Sequence, residues 1–218
     1  MPLYQLNPNN IQFPDPREAL ADPNGLLAIG GDLSPARLLQ AYRHGIFPWF
    51  SPDDPILWWS PDPRTVLFPD QIKIHRILRK TLKNHPFDIH VNRDFAAVLH
   101  ACAAPREHQS GTWITPEMQQ AYLRLHSMGY AFSVESWRDN VLAGGLYGVK
   151  IGHVFFGESM FTRVSDASKA ALIALCQGAL GFVPAVVDCQ FSTDHLLSLG
   201  ATPIPRHEFL ALLARYAY

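Results

Sequence analysis

The sequence predicts a mixed α/β (α+β) protein in which a small N-terminal domain, residues 1–62, precedes a larger domain, residues 63–218, built on a mixed and largely antiparallel sheet. Three observations carry that prediction. A proline-rich, aromatic stretch, IFPWFSPDDPILWWSPDPR at 46–64, forbids regular helix and marks a junction. Beyond it, three strand-like runs separated only by a polar turn and a glycine form a meander. An almost wholly apolar helix and one further strand then follow, and 48% hydrophobic residues over 218 positions suffice for a sizeable core.

Taken in order, Ser34 and Pro35 sit at the cap and first-turn positions of a helix whose apolar face is Leu38, Leu39 and Tyr42, with Gly45 as its stop. Phe47, Trp49, Phe50, Trp58 and Trp59 crowd the rigid segment after it, which suits either an aromatic-plugged junction or a pocket wall. In 73–83, Ile74, Ile77, Leu78 and Leu82 recur at helical spacing, so Lys73, Arg76, Arg79, Lys80 and Lys83 fall mainly on the opposite face. Residues 87–91 read as a strand, and Asn92 as the cap of a helix to about Cys102. EHQSGTWIT, 107–115, reads as a loop ending at Thr115, which caps a helix opened by Pro116 and closed at Gly129. The meander runs through 130–137, 141–151 and 154–161, broken at RDN and at Gly152. A helix from Ser165 or Asp166 to Gln177, a strand at 185–191 after Pro184, and a final helix starting between Pro205 and Glu208 complete the chain.

Composition narrows the function. The N-terminus has neither a basic nor an apolar targeting region, and no run approaches the roughly 18 apolar residues of a membrane span. A cytoplasmic protein is expected. Cys102, Cys176 and Cys189 are an odd number without a CxxC pair, and ten histidines show no HExxH or HxxxH pairing, so neither a disulfide framework, a metal nor a cofactor is expected. The net charge of −1 conceals the acid-free basic cluster at 73–83, a face that can meet phosphates or simply be solvated.

Helices, a meander, a buried helix and a further strand suggest an acyltransferase of the GNAT type. Acetyltransferases of that type hold coenzyme A pyrophosphate on a glycine-rich turn after the meander, where backbone N–H groups can approach the phosphates. Here that position reads TRVSDASKAA, without glycine, which weakens the acetyl-CoA reading. Several long blocks occur in order: NGLLAIGGDLSPARLLQAYRHGIFPWF at 24–50, PILWWSPDPR at 55–64, GTWIT at 111–115, GGLYGV at 144–149, FGESMF at 156–161, ASK at 167–169 and DCQ at 188–190. With these blocks the sequence resembles the leucyl/phenylalanyl-tRNA-protein transferase family.

The resemblance implies a small N-terminal domain joined to a GNAT-like domain, acting as a monomer. It implies donors in leucyl-tRNA and phenylalanyl-tRNA, acceptors in proteins with N-terminal Arg or Lys, and products entering N-end-rule degradation. It places an apolar amino-acid pocket around Trp49, Trp113, Tyr122, Phe155, Met160 and Val187. Leu146 and Leu175 stand where some members carry Met and Phe, which keeps the pocket apolar. Lys73, Arg76, Lys80 and Lys83 are the candidate tRNA contacts.

The reaction is aminolysis of an activated ester, which needs positioning and a proton acceptor rather than a strong nucleophile. Asp188 and Gln190 are two apart on an expected strand, so period-two geometry points both to one face. The Gln190 amide can accept a hydrogen bond from the incoming amine while Asp188 polarises it, in agreement with the relay that the resemblance implies. Glu158, in GESM, is a candidate to position the ester or attract a cationic acceptor. Two rival readings stand beside this one: a GNAT-type N-acetyltransferase, which is also an enzyme, and, from a different class, a non-catalytic tRNA-binding adaptor. A Ser192–His195–Asp188 hydrolase lacks a GxSxG elbow.

Overall fold

The computed structural model describes residues 3–105 and 112–218. The 107–111 part of the expected EHQSGTWIT loop therefore lies outside the described residues.

The N-terminal region forms a four-stranded sheet. Its strands are β1 (Tyr4–Leu6), β2 (Leu26–Gly30), β3 (Phe47–Pro48) and β4 (Leu57–Trp59), in the order β1-β2-β4-β3. The proline-rich segment thus contributes two short strands where the sequence suggests none. Proline is tolerated there because Pro48 ends a two-residue edge strand, where a missing ladder donor costs little. Between β2 and β3 lies α1 (Pro35–Arg43), capped by the Ser34 hydroxyl, which accepts from the Arg37 N–H at 3.4 Å. Gly45 turns the chain out of this helix at φ 72°, and a Cβ there would come within 3.0 Å of Leu210. Its role as the stop is therefore both conformational and steric.

The larger sheet has seven strands. They are β5 (Arg64–Leu67), β6 (Asp88–Val91), β7 (Ala131–Arg138), β8 (Val141–Ile151), β9 (Val154–Thr162), β10 (Val186–Gln190) and β11 (Thr202–Ile204), in the order β11-β5-β10-β9-β8-β7-β6. Every neighbouring pair is antiparallel except β9 and β10, which run parallel. That exception has a topological cause: α5 (Ala167–Cys176) carries the chain back across the sheet between them, as a parallel connection requires. The mixed, largely antiparallel sheet and the buried helix are as the sequence predicts. Gly148 shows how tightly the meander packs, since a Cβ there would stand 2.1 Å from the Phe156 carbonyl oxygen.

Helices α3 (Phe95–Ala103), α4 (Pro116–Ser127) and α7 (Arg206–Tyr216) share one buried cluster with both sheets; among its members are Leu27, Trp58, Leu99, Tyr122, Phe156 and Phe209. A second cluster, around Leu146, Phe155, Leu175 and Val187, packs α5 on the larger sheet and surrounds the site.

Local corrections follow from the structure. Asp94, not Asn92, caps α3, its carboxylate accepting from the Ala97 N–H at 2.9 Å. Asn92 instead turns the chain at φ 54° and uses its amide oxygen to accept from the Ser133 N–H. The basic helix α2 spans Arg76–Asn84, so Lys73 precedes it, with its backbone N–H donating to the Leu199 carbonyl at 2.8 Å. The apolar face is narrower than the spacing implies, because Leu78 is buried while Ile77 is 81% exposed. Strands β1, β2, β5 and β11 and the short helix α6 (Asp194–Ser198) have no strong local pattern and are additions by the structure.

Candidate active site

The site lies where β9 and β10 run parallel and β5 pairs with β10 from the other side. Asp188 stands opposite Phe156 on β9 and Val66 on β5, whereas Gln190 stands opposite Thr65 after a register shift. The shift is a bulge, and Gln190 is its left-handed residue, at φ 56°. Strict period-two geometry therefore fails between Asp188 and Gln190. The expected contact between the two side chains also takes another form. The Asp188 carboxylate accepts the main-chain N–H of Gln190 at 3.1 Å, and Arg64 takes both carboxylate oxygens, through Nε and Nη2, each at 2.7 Å. Asp188 thus holds the kinked backbone of Gln190 rather than polarising its amide.

Arg64, absent from the sequence reading, is the main addition. It is buried on β5, its Nη1 donates to the Gly45 carbonyl at 3.1 Å, and its guanidinium lies between the rings of Phe47 and Phe209 at 4.6 and 4.7 Å. A fork of this geometry compensates a buried carboxylate that would otherwise be costly. A buried arginine after proline in a four-residue strand carries no local signal of its partner.

A cavity of about 470 Å³ opens beside this pair. Trp113, Leu146, Phe155, Met160, Leu175 and Val187, all expected pocket residues, line it, together with Glu158, Asp188 and Gln190 at its polar side. Leu172, Cys189, His195 and Leu196 complete much of the remaining wall. Two expected residues are elsewhere. Trp49 is 42% exposed and lines a neighbouring cavity of about 530 Å³, which it shares with Trp59 and Trp113. Tyr122 is wholly buried behind the wall and reaches the site only through its hydroxyl.

That hydroxyl belongs to a three-membered network. Tyr42 on α1 donates to Glu158 Oε1 and Tyr122 on α4 to Glu158 Oε2, each at 2.7 Å, and the two hydroxyls are themselves 2.7 Å apart. Burial pushes the Glu158 carboxyl up to about 7; the two tyrosine hydrogen bonds oppose the rise, the Asp188 charge adds to it and Arg64 opposes it. The tyrosine hydroxyls are held well above their ordinary value by burial and by the Glu158 charge, so both remain neutral donors. Sequence spacing gives no hint of Tyr42, which stands in the apolar face of α1.

The other candidates resolve simply. Ser192 Oγ lies 2.6 Å from Thr65 Oγ1 and Asp188 is committed to Arg64, so no hydrolase relay runs through them. At the start of α5 the Ser168 N–H donates to Thr162 Oγ1 at 3.0 Å, which occupies a donor that a phosphate cradle would use. Among the described residues no His, Cys, Asp or Glu cluster could hold a metal ion. None of their helices is long and apolar enough to cross a membrane. The exposed basic segment adjoins the cavity: Lys73 bonds Leu199 and His75 Nε2 lies 3.1 Å from the Ser198 carbonyl, while α6 between them and the site supplies His195 and Leu196 to the wall.

Known proteins resemble this chain over nearly its full length. Residues 66–214 match the model of the leucyl/phenylalanyl-tRNA protein transferase family, and residues 31–62 match that family's N-terminal domain. The leucyl/phenylalanyl-tRNA–protein transferase of Aromatoleum aromaticum is 59% identical over 206 residues, covering 94% of this chain and 86% of that one. Its counterpart in Pectobacterium carotovorum subsp. carotovorum is 55% identical over 216 residues, 99% of this chain and 92% of the relative. That of Nitrosomonas europaea is 58% identical over 201 residues, 92% and 85%. Among solved structures, L-PGS from Bacillus licheniformis aligns at 11% identity and a TM-score of 0.40, over 79% of this chain and 57% of that one. With near-complete coverage at such identities, this chain belongs to the leucyl/phenylalanyl-tRNA–protein transferase family.

Proposed function

We propose that this protein transfers a leucyl or phenylalanyl group, and less well a methionyl group, from aminoacyl-tRNA to the N-terminal amine of proteins beginning with Arg or Lys. The reaction serves N-end-rule degradation in the cytoplasm. The observation that carries this reading is the cavity: about 470 Å³, walled by Leu146, Phe155, Met160, Leu175, Val187 and Trp113, with a carboxylate and an amide at its edge. A space of that size and lining suits one large apolar side chain, with the reacting ester held at the polar side.

The remaining parts fit around it. An α-amine has an ordinary pKa of about 7.7 to 8.0, so the acceptor is partly free base near neutrality and attacks the ester carbonyl directly. The site contributes orientation and a proton acceptor, and the 3′ ribose oxygen leaves with a proton. Gln190 and Glu158 face the reacting groups, and Asp188 fixes the backbone from which Gln190 projects. The exposed Lys73, Arg76, Lys80 and Lys83, beside α6, meet the tRNA backbone. Residues 1–62 and 63–218 act as two domains of one monomer.

The test is mass spectrometry of an Arg-initiated peptide incubated with the protein and charged leucyl- or phenylalanyl-tRNA. A gain of one Leu or Phe residue is expected. No mass change with the charged tRNAs, or an acetyl gain with acetyl-coenzyme A instead, would overturn the proposal.

A further inference from the structure

Three carboxyl or amide groups on β9 and β10, at the polar side of the cavity, could receive the proton that the attacking amine gives up: Asp188, Gln190 and Glu158. Asp188 is fully buried, and its two oxygens are engaged by the Arg64 fork and the Gln190 N–H. Protonating it would break a charge-assisted pair. Gln190 is a neutral amide and a very weak base. Glu158 differs from both, since among the described residues no ion pair involves it and it lines the cavity.

Counting hydrogens in its network adds a geometric reason. Glu158, Tyr42 and Tyr122 make three oxygen–oxygen contacts of 2.7 Å. Each tyrosine has one hydroxyl hydrogen. With Glu158 ionised, the two hydrogens can fill only two contacts, and the Tyr42–Tyr122 approach is left without a shared hydrogen when both point at the carboxylate. One more proton on Glu158 fills the third, because the hydroxyls can then donate around the ring.

We propose that Glu158, cradled by Tyr42 and Tyr122, accepts the proton of the attacking amine and returns it to the departing ribose oxygen. The proposal rests on the transfer reaction put forward above. The amine nitrogen forms its bond to the carbonyl carbon, and an N–H proton passes to Glu158. As the carbon–oxygen ester bond breaks, the same proton goes to the 3′ oxygen, leaving an amide, a free hydroxyl and an ionised Glu158. The charged and titratable groups that face Glu158 are Tyr42 from α1, Tyr122 from α4, Tyr147 from β8, Arg64 from β5 and Asp188 from β10. A carboxyl held near 7 in this setting is suited to take up and release a proton near neutral pH.

The test is single-turnover transfer from saturating phenylalanyl-tRNA to an Arg-initiated peptide, measured against pH for wild type, Glu158→Gln, Tyr122→Phe and Asp188→Asn. Wild-type transfer is the control that separates this proposal from the reaction itself; without it the functional reading fails. Glu158→Gln is expected to lose about 10²- to 10⁴-fold in rate while charged tRNA binds within a few-fold of normal. Tyr122→Phe removes a donor to the carboxylate, so the acid limb of its profile moves to higher pH. Asp188→Asn removes a neighbouring negative charge, so its limb moves to lower pH. The acceptor's own amine titration is common to all, so differences between limbs belong to the enzyme. A Glu158→Gln rate within threefold of wild type, or coincident limbs in Tyr122→Phe, Asp188→Asn and wild type, would overturn the proposal. Should Glu158→Gln fail to fold, the limbs decide.

Discussion

Replacing Arg64 by Met tests the centre of the fold and of the site together. The side chain keeps most of its apolar length but loses the guanidinium that bonds Asp188 twice at 2.7 Å and Gly45 once at 3.1 Å. Asp188, 0% exposed, would then keep, among the described residues, only the Gln190 N–H as a partner. Breaking one side of a buried ion pair costs about 3 to 5 kcal/mol, because the remaining charge stays desolvated. Loss of the Phe47 and Phe209 ring contacts adds roughly 1 kcal/mol. A total near 4 to 6 kcal/mol is a large share of the roughly 5 to 15 kcal/mol that holds a typical domain folded. At about 2 to 4 °C per kcal/mol for a chain of this size, Tm should fall by roughly 8 to 24 °C. The assay is guanidinium unfolding, with thermal melts alongside, on Arg64→Met, Asp188→Leu and the double variant. Because the double variant has no orphaned charge, it should recover much of the loss, giving a coupling of about 2 kcal/mol or more. It should nevertheless transfer poorly, since the Gln190 N–H has lost its acceptor. A single-variant loss below about 1 kcal/mol, or strictly additive losses, would refute the reasoning.

Other consequences can be checked separately. Glu158 binds its proton more tightly in the folded state, near 7, than its ordinary value of 4.5, so stability falls as pH rises between those values, by at most about 3 kcal/mol. Glu158→Gln should flatten that dependence, and melts at pH 5 and pH 8 that keep the wild-type difference would show the carboxyl is not strained. Changing Lys73, Arg76, Lys80 and Lys83 together to Ala should weaken tRNA binding and lower the salt slope by somewhat under one unit per lost contact. Leu or Phe choice should stay as in wild type, and an unchanged slope would mean a merely solvated face. Alanyl-tRNA lacks three carbons of the leucyl side chain, so at about 1 kcal/mol or more per carbon it should be used at least about 10²-fold less well. Equal alanyl and leucyl rates would remove the pocket.

Much of this molecule is written locally. Ser34 and Thr115 cap the helices that their spacing implies, and Pro35 and Pro116 open them. The meander follows from runs that need only short turns to pair, and the almost wholly apolar α5 has to be buried. Five of the six expected residues that line the cavity come from these same strongly patterned elements, β8, β9, α5 and β10, and Trp113 joins them from the loop ahead of α4. Trp49 and Tyr122 show the limit of that logic. The family resemblance groups them with the pocket, yet one falls in the adjoining cavity and the other behind the wall.

What the sequence by itself determined was therefore the family, the mixed sheet and the basic segment, since each depends on residue order or on periodicity within one element, while the apolar pocket residues were implied by the family resemblance. Only the tertiary structure decided the polar machinery. Arg64 meets Asp188 across 124 residues, and Tyr42 meets Glu158 across 116. The bulge that turns Gln190 to φ 56° belongs to the pairing of β10 with β5, strands whose Asp188 and Arg64 lie 124 residues apart in sequence. Hydrogen bonds and ion pairs act over a few ångströms between side chains whose neighbourhood is set by strand pairing, and no spacing along the chain specifies which distant partner that pairing delivers.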